Sequence, residues 1–406
     1  MKILVLAGGA DQIALIQELK ARGHEIILLD YYENPPAKFY ADKHIMASTL
    51  DVEAVEKIAI AENVSLICTA CTDQALLTVS LVSERLGLPC YIDYQTGLNV
   101  TNKSYMKKIL IEHGIPTARF AIVDNSNYDL ISSFTFPIVV KPVDCNSSKG
   151  VRRVDFIEEY HDCVIEALRL SRTHTAIVEE YKEGKEISAD FYIEGSTAKL
   201  LSATTSLKIK NRKSFTIVGS EYPTLSEYQE KVITKIAQDI ANAFKLNDTP
   251  LLVQLIANAN EMNVIEFSAR MGGGSKYKLI EVLSGVNIMS KYVDRILGNY
   301  PTVSPKKLVN YCEMIYIYSE PGIFNHIEGL TEMKEKGYVD EFFLYKTSGM
   351  NISGANTSGD RPAGYLCSAK TKNELDAKVS YIDSHIKVIS ENGKDIMLHG
   401  LLNNIQ

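Results

Sequence analysis

An apolar strand ending in lysine, Ile138-Val-Val-Lys141, runs into a small polar loop, Pro142-Val-Asp-Cys-Asn-Ser147-Ser148-Lys-Gly150. About 120 residues later, Val264-Ile-Glu266-Phe-Ser268-Ala-Arg270 leads through Met271 into Gly272-Gly273-Gly274. On a strand, Glu266, Ser268 and Arg270 share one face, because side chains alternate with a period of two. The lysine and its loop suit a backbone that closes over phosphates. The carboxylate and arginine suit a divalent cation and a charge developing on a transferred group. Together they are what a Mg-ATP site requires. Simpler readings stand beside this one. Lys141 could be a structural ion pair or a solvated strand end, and Glu266 with Arg270 a structural salt bridge. The loop after Lys141 favours phosphate chemistry, although the Walker pattern Gly-x-x-x-x-Gly-Lys-Ser/Thr is absent.

The flanking elements must hold these segments in place. In the first hundred residues, short apolar runs at Ile3–Ala7, Ile26–Leu29 and Ser65–Thr69 alternate with helical patterns at Gln12–Ala21 and Ala75–Leu86. That alternation predicts an open parallel α/β sheet. Leu88-Pro89 is expected to start a further strand, and Thr101-Asn102 to cap a helix carrying Lys103. From about residue 115 the strands become hairpin-like: Phe136–Lys141, Ala176–Glu180, Glu186–Ile193 and Ala198–Thr204. Asp155 with Glu158, and Ser226 with Gln229, have the capping-box spacing. The first would start a helix burying Ile157, Tyr160, Val164 and Leu168; the second, one burying Val232, Ile236, Ile240 and Phe244. Leu251–Ala257 and Asn263–Ala269 form a hairpin that sets Gln254 opposite Glu266 if its turn centres on Asn260. Strands at Tyr311–Tyr318, Glu341–Tyr345 and Gly364–Ser368 precede a helix begun by Thr371 and Glu374, and residues 347–361 read as a mobile loop.

Lys141 with its loop and Glu266 with Arg270 resemble the ATP-grasp superfamily over nearly the whole chain. The nearest branch contains carbamoyl-phosphate-synthetase-like and biotin-carboxylase-like proteins and stand-alone carboxylate–amine ligases. The resemblance implies an α/β and α+β chain of three parts: an open parallel-sheet domain over residues 1–102; an ATP-grasp domain over 103–300, with a mobile lid at about 115–182; and a C-terminal α+β portion over 301–406. By the same resemblance Lys103, Lys141, Ser147, Ser148 and Gly150 belong to the phosphates, and Glu179, Tyr181 and Lys182 to the adenine hinge. Glu186 belongs to the ribose, although a charged surface turn is the commoner fate of such a Glu/Lys cluster. Gln254 and Glu266 would hold Mg²⁺, with Mn²⁺ as an alternative. Ser268 stands where relatives often have Asn, which puts a second metal position in doubt. Arg270 and Lys141 would stabilise the transferred phosphoryl group. The implied activity is an ADP-forming ligase that converts a small carboxylate to an acyl phosphate and joins it to an amine. An ATP- and bicarbonate-dependent carboxylase of a small amine is the runner-up, and a homodimer is left open.

Gly8 and Gly9 after the first strand, with Asp30 ending the second, imitate a dinucleotide-binding turn, but the third glycine is missing. The ATP-grasp resemblance implies that this first domain instead walls one side of the acceptor site, so Gly8, Gly9, Gln12 and Gly273 are expected as substrate contacts. The basic run Lys208, Lys210, Arg212 and Lys213 reads equally as an anion contact and a solvated loop. Cys68-x-x-Cys71 lacks a second pair at zinc spacing and reads as core. Cys145 lies inside the phosphate loop, so alkylation is expected to slow ATP turnover and ATP to protect.

At 406 residues, with 46% hydrophobic and 23% charged residues, the chain reads as a multidomain soluble protein. A net charge of −7 argues against nucleic acid or anionic membrane as the main partner. No apolar run reaches the length of a membrane span or a signal peptide, and seven scattered cysteines suit a reducing, cytosolic compartment. Two readings of other classes compete: a nucleotide-binding protein without turnover, and a dinucleotide-dependent oxidoreductase that would leave Lys141 and Glu266 unexplained.

Overall fold

The structure, a computed structural model, describes residues 1–125, 134–145, 148–209 and 215–404. Ser147, Lys210, Arg212 and Lys213 therefore lie outside the described residues.

The opening apolar runs become parallel strands β1 (Lys2–Leu6), β2 (Glu25–Asp30), β3 (Lys43–Met46) and β4 (Leu66–Cys68), in the order β3-β2-β1-β4. Strands β1, β2 and β4 are nearly all apolar because helices cover both faces, separating one core around Ile3 and Val5 from another around Leu4 and Leu6. The sequence-predicted strand at Leu88-Pro89 is absent. Pro89 has no N–H to give a ladder; the segment instead buries Tyr91 and Ile92 as a loop, and Tyr91 Oη donates to Ala269 O (2.9 Å).

A second sheet is small and antiparallel: β5 (Phe120–Val123), β6 (Ile138–Pro142), β7 (Arg152–Val154) and β8 (Ala176–Glu180), in the order β5-β8-β6-β7. Helix 160–170 packs Tyr160, Val164 and Leu168 onto it. The expected Asp155/Glu158 box does not form. Asp155 accepts from Arg153 Nε (2.7 Å), the turn 157–159 is 3₁₀, and Ile157 is left exposed.

The largest sheet has eight strands. They are β9 (Lys185–Glu194), β10 (Thr197–Lys208), β11 (Ile217–Tyr222), β12 (Thr249–Ala257), β13 (Met262–Ser268), β14 (Tyr311–Ile317), β16 (Glu341–Leu344) and β18 (Ala363–Ala369), in the order β13-β12-β9-β10-β11-β14-β18-β16. Residues beyond 300 thus extend the sheet that carries Glu266. Helix 227–243 covers one face, started by a complete Ser226/Gln229 capping box; it buries Ile233, Ile236 and Ile240, while Val232 is only partly buried. A three-stranded sheet joins β15 (Gly322–Glu328), β17 (Asn351–Ile352) and β19 (Lys387–Ser390). Residues 347–361 are more structured than the Ser/Gly/Asn composition suggests. They include β17 and a 3₁₀ turn in which Asp360 accepts from Thr357 N and Thr357 Oγ1 (both 2.9 Å). Among the described residues no helix is long and apolar enough to cross a membrane.

Candidate active site

Gln254 on β12 faces Glu266 on β13 in the antiparallel register, as the sequence spacing requires, and the register slips just beyond Gln254. Their strand pair forms part of the wall between two cavities, of about 120 Å³ and 420 Å³, both lined by Lys103, Gln254 and Glu266.

Lys103 opens helix 103–112, whose first turn is capped by Asn102 Oδ1 accepting from Ser104 N (2.9 Å). This aims the buried ammonium at Glu266 Oε2 (3.1 Å) and the Cys145 carbonyl (2.7 Å). Burial alone would lower the Lys103 pKa, but Glu266 outweighs it and the pKa is raised. Burial likewise opposes the charge on Glu266, yet Lys103 and Lys141 hold its pKa below the ordinary value. Gln254 Nε2 donates to Glu186 Oε1 (3.4 Å), leaving its carbonyl oxygen without a hydrogen bond among the described residues. Ser268 lines only the larger cavity.

Lys141, the penultimate residue of β6, pairs with Glu179 Oε2 (2.8 Å). Glu179 Oε1 lies 3.1 Å from Lys107, a fully buried lysine on the helix begun by Lys103. Glu179 lines the smaller cavity beside Tyr181 and Lys182, the neighbours expected with it at an adenine hinge, and its side chain completes a buried lysine–carboxylate–lysine triad. Burial raises the Glu179 pKa, but the two lysines more than offset it. Lys107 is pushed down to about 8, chiefly by burial and further by Lys141. Tyr181 sits under the Arg153 guanidinium (4.2 Å to the ring centroid), and Lys182 lies 3.6 Å from both Glu180 and Glu261. Glu186 is paired with Lys208.

In the loop after Lys141, Ser148 lines both cavities. Gly150 does not. It has φ +74°, and a Cβ there would meet Leu170 at 2.6 Å and Pro142 at 2.9 Å, so its demand is packing within the turn.

Arg270 pairs with Asp73 through two guanidinium nitrogens, Nε at 2.8 Å from Oδ1. Asp73 opens the helix after β4, so the partner comes from the N-terminal sheet region and the alternative of a Glu266–Arg270 bridge is corrected. Gly9 and Gly273 line the larger cavity. Gly8 and Gln12, expected beside them as substrate contacts, line neither cavity. Gly8 N donates to Asp30 Oδ2 (2.6 Å), while Gln12, 1% exposed, clamps Ala70 through its N–H (3.0 Å) and carbonyl (2.5 Å).

A family model for the phosphoribosylglycinamide synthetase ATP-grasp (A) domain matches residues 101–274, the stretch that carries Lys103, Lys141, Glu266 and Arg270. These residues form an ATP-grasp domain. It is 23% identical over 396 residues to phosphoribosylamine–glycine ligase of Caldanaerobacter subterraneus, covering 89% of this chain and 93% of that protein. It is 24% identical over 252 residues to the trifunctional purine biosynthetic protein adenosine-3 of Drosophila pseudoobscura; the match covers 57% of this chain and only 18% of that protein. The chain spans less than half the length of the first curated relatives it matches. The crystal structure of an L-amino acid ligase from Bacillus licheniformis shares the fold, with a TM-score of 0.79 at 21% identity, covering 96% of this chain and 99% of that one.

Several residues in or behind the two cavities were passed over by sequence reasoning. Asp73 had a signal in Thr72-Asp73 at a helix start. Lys107 looked like any lysine on an amphipathic helix. Asp11, Lys276 and Arg361 reach the larger cavity from three separate regions of the chain, and no spacing links them.

Proposed function

We propose that this ATP-grasp protein is an ADP-forming ligase that activates a small carboxylate as an acyl phosphate and joins it to an amine. The observation that carries the reading is the pair of cavities meeting at Lys103, Gln254 and Glu266. Residues 103–300 would hold the nucleotide, with residues 1–102 and 301–406 walling the substrate. The smaller cavity, lined by Val139, Ile256, Tyr181 and Phe215, suits a purine, with the Tyr181-Lys182 turn at its rim. Lys103, Lys141 and the Ser148 segment would bind phosphates, and Glu186 the ribose hydroxyls.

Glu266 and the carbonyl oxygen of Gln254 form an all-oxygen set that suits Mg²⁺, which takes few protein ligands and fills the rest with phosphate and water. Mn²⁺ suits the same donors. When bound, the ion would neutralise charge on the transferred phosphoryl group. A substrate carboxylate oxygen attacks the γ-phosphorus and the bond to ADP breaks. The amine then attacks the acyl carbon, phosphate leaves and the nitrogen loses a proton. Arg270, oriented by Asp73, would stabilise charge in both steps, and the surrounding protein would keep water from the acyl phosphate. Seven free cysteines suit a cytosolic setting for this chemistry.

The reading is tested by supplying Mg-ATP, hydroxylamine and pools of carboxylic acids. A hydroxamate formed with ADP, and lost in Lys141→Ala, supports it. ADP formed only with bicarbonate points to the carboxylase. Neither product, from protein that binds ATP, overturns turnover itself.

The buried triad gives a pH dependence. Below about 8 Lys107 is charged, and one carboxylate faces two ammonium groups. As pH rises through about 8 Lys107 loses its proton, the net positive charge beside the phosphates falls, and KM for ATP should rise. Lys107→Met should show the weaker ATP binding at every pH, with this inflection removed. The folded pKa lies below the ordinary 10.5, so the unfolded chain binds more protons between about 8 and 10.5, and this group's contribution to stability rises with pH across that window.

Cys145 is half-buried and burial raises its thiol pKa. Alkylation should be slower than for a free thiol at neutral pH, accelerate as pH rises and be blocked by ATP. Mass-spectrometric rates with and without ATP check this.

A further inference from the structure

The larger cavity holds four cationic side chains, and three have a carboxylate nearby. Lys103 has Glu266 at 3.1 Å, Arg270 has Asp73, and Lys276 has Asp190 at 4.0 Å. Arg361 has none within 4.0 Å among the described residues, although it is only 7% exposed. Its Nε donates to Tyr318 Oη (2.9 Å), its NH2 donates to the Ile217 carbonyl (3.0 Å), and its Cζ lies 3.6 Å from the Tyr316 ring centroid. The neighbouring carboxylate, Asp360, is occupied with Ser353 and Thr357. NH1 is without a hydrogen bond among the described residues. It flanks Gly274, where a Cβ would lie 3.0 Å from NH1 and 2.7 Å from Tyr316 Oη at φ +72°. A guanidinium buried without a counter-charge is costly, and the cost is offset when an anion completes it.

A second charge on the same wall is unmatched in the opposite sense. Asp11 Oδ1 accepts from Ser275 N (2.7 Å) and Oδ2 from Gly274 N (3.0 Å), with no cation within 4.0 Å among the described residues. Two of the four lone-pair positions of a carboxylate remain. Asp11 and Arg361 therefore flank the Gly273-Gly274 backbone without forming an ion pair, although Asp11 feels the charges of Arg270 and, more weakly, Arg361.

We infer that the larger cavity takes a zwitterionic amino acid, with its carboxylate on Arg361 and its ammonium group on Asp11. A single carboxylate fits better than a phosphate, because Asp11 would repel additional negative charge. The orientation points the amino group toward Arg270, where the proposed acyl phosphate forms. This deepens the ligase reading and rests on it only in making the amino acid the acceptor amine. The open NH1 offers a carboxylate a charge-assisted hydrogen bond, which selects against neutral analogues.

Thermal-shift and equilibrium-binding measurements with the individual L-amino acids, each beside its α-amide and its decarboxylated amine, test the subsite in the presence of Mg-ADP. At least one amino acid should bind, and its amide and amine should bind markedly more weakly. Arg361→Gln should weaken that amino acid about 10- to 100-fold, from the loss of a charge-assisted hydrogen bond, and should erase the discrimination against the amide. Arg361→Lys should restore part of both. Stabilisation of each variant by Mg-ATP establishes that it is folded. Equal binding of amide and amino acid, no amino acid binding, or preference for phosphorylated amines would each overturn the assignment. The hydroxamate assay is separate: hydroxamates without amino-acid binding would sink the subsite and leave the ligase, and the converse would sink the ligase and leave the subsite.

Discussion

Arg270→Met should lower the rate of acyl-phosphate formation about 10²–10³-fold, the usual loss when one preorganised charge at a reacting group is removed. The same change strands Asp73, whose side chain is 15% exposed and whose salt-bridge partner is the Arg270 guanidinium. Breaking a largely buried pair from one side costs about 3–5 kcal/mol, so the variant should also unfold at lower denaturant concentration. The two effects separate in Arg270→Met/Asp73→Asn. Removing the orphaned charge should recover most of the stability, while hydroxamate formation stays low. If turnover returns with stability, Arg270 is a strut between the N-terminal sheet and the Glu266 strand, and the catalytic role fails.

Glu179→Gln is the second large effect and acts mainly on stability. Glu179 is buried, and both of its oxygens face lysines, Lys107 at 3.1 Å and Lys141 at 2.8 Å. Removing the shared counter-charge leaves two ammonium groups out of water, at a cost of about 3–5 kcal/mol. Lys107, already pushed down by burial, has the easier escape and should shed its proton. Equilibrium denaturation should show the loss, and Glu179→Gln/Lys107→Met should recover much of it, because a methionine fills the lysine's place without a charge. A double variant no more stable than the single one would show that the triad is not an electrostatic unit. The recovered double variant keeps Lys141, so its affinity for ATP reports the lysine itself.

Much of this arrangement was legible in local pattern. The period-two alternation around Glu266 and the hairpin length predicted the Gln254–Glu266 pairing that the register contains. The Ser226/Gln229 box and the Asn102 cap formed as spaced, since each needs only residues within one helical turn. The alternation of apolar runs and helical patterns likewise led to the parallel sheet. Errors arose where a local device met a stronger neighbour. Arg153 took the Asp155 carboxylate from its box, Pro89 prevented a ladder, and Gln12 was drawn into Thr69-Ala70 and out of the cavity linings.

The sequence by itself determined the strands around Lys141 and Glu266, the Ser226 and Asn102 helix caps, and where the lysine loop falls along the chain. These depend on neighbours a few residues apart. Only the tertiary structure decided which charges meet. Asp73 reaches Arg270 across 197 positions and Lys107 reaches Glu179 across 72, while Arg361 arrives beside Gly274 with no carboxylate within 4.0 Å among the described residues. Electrostatic pairing acts through space at a few ångströms, with no periodicity along the chain, so a buried charge discloses its partner, or the lack of one, only after folding.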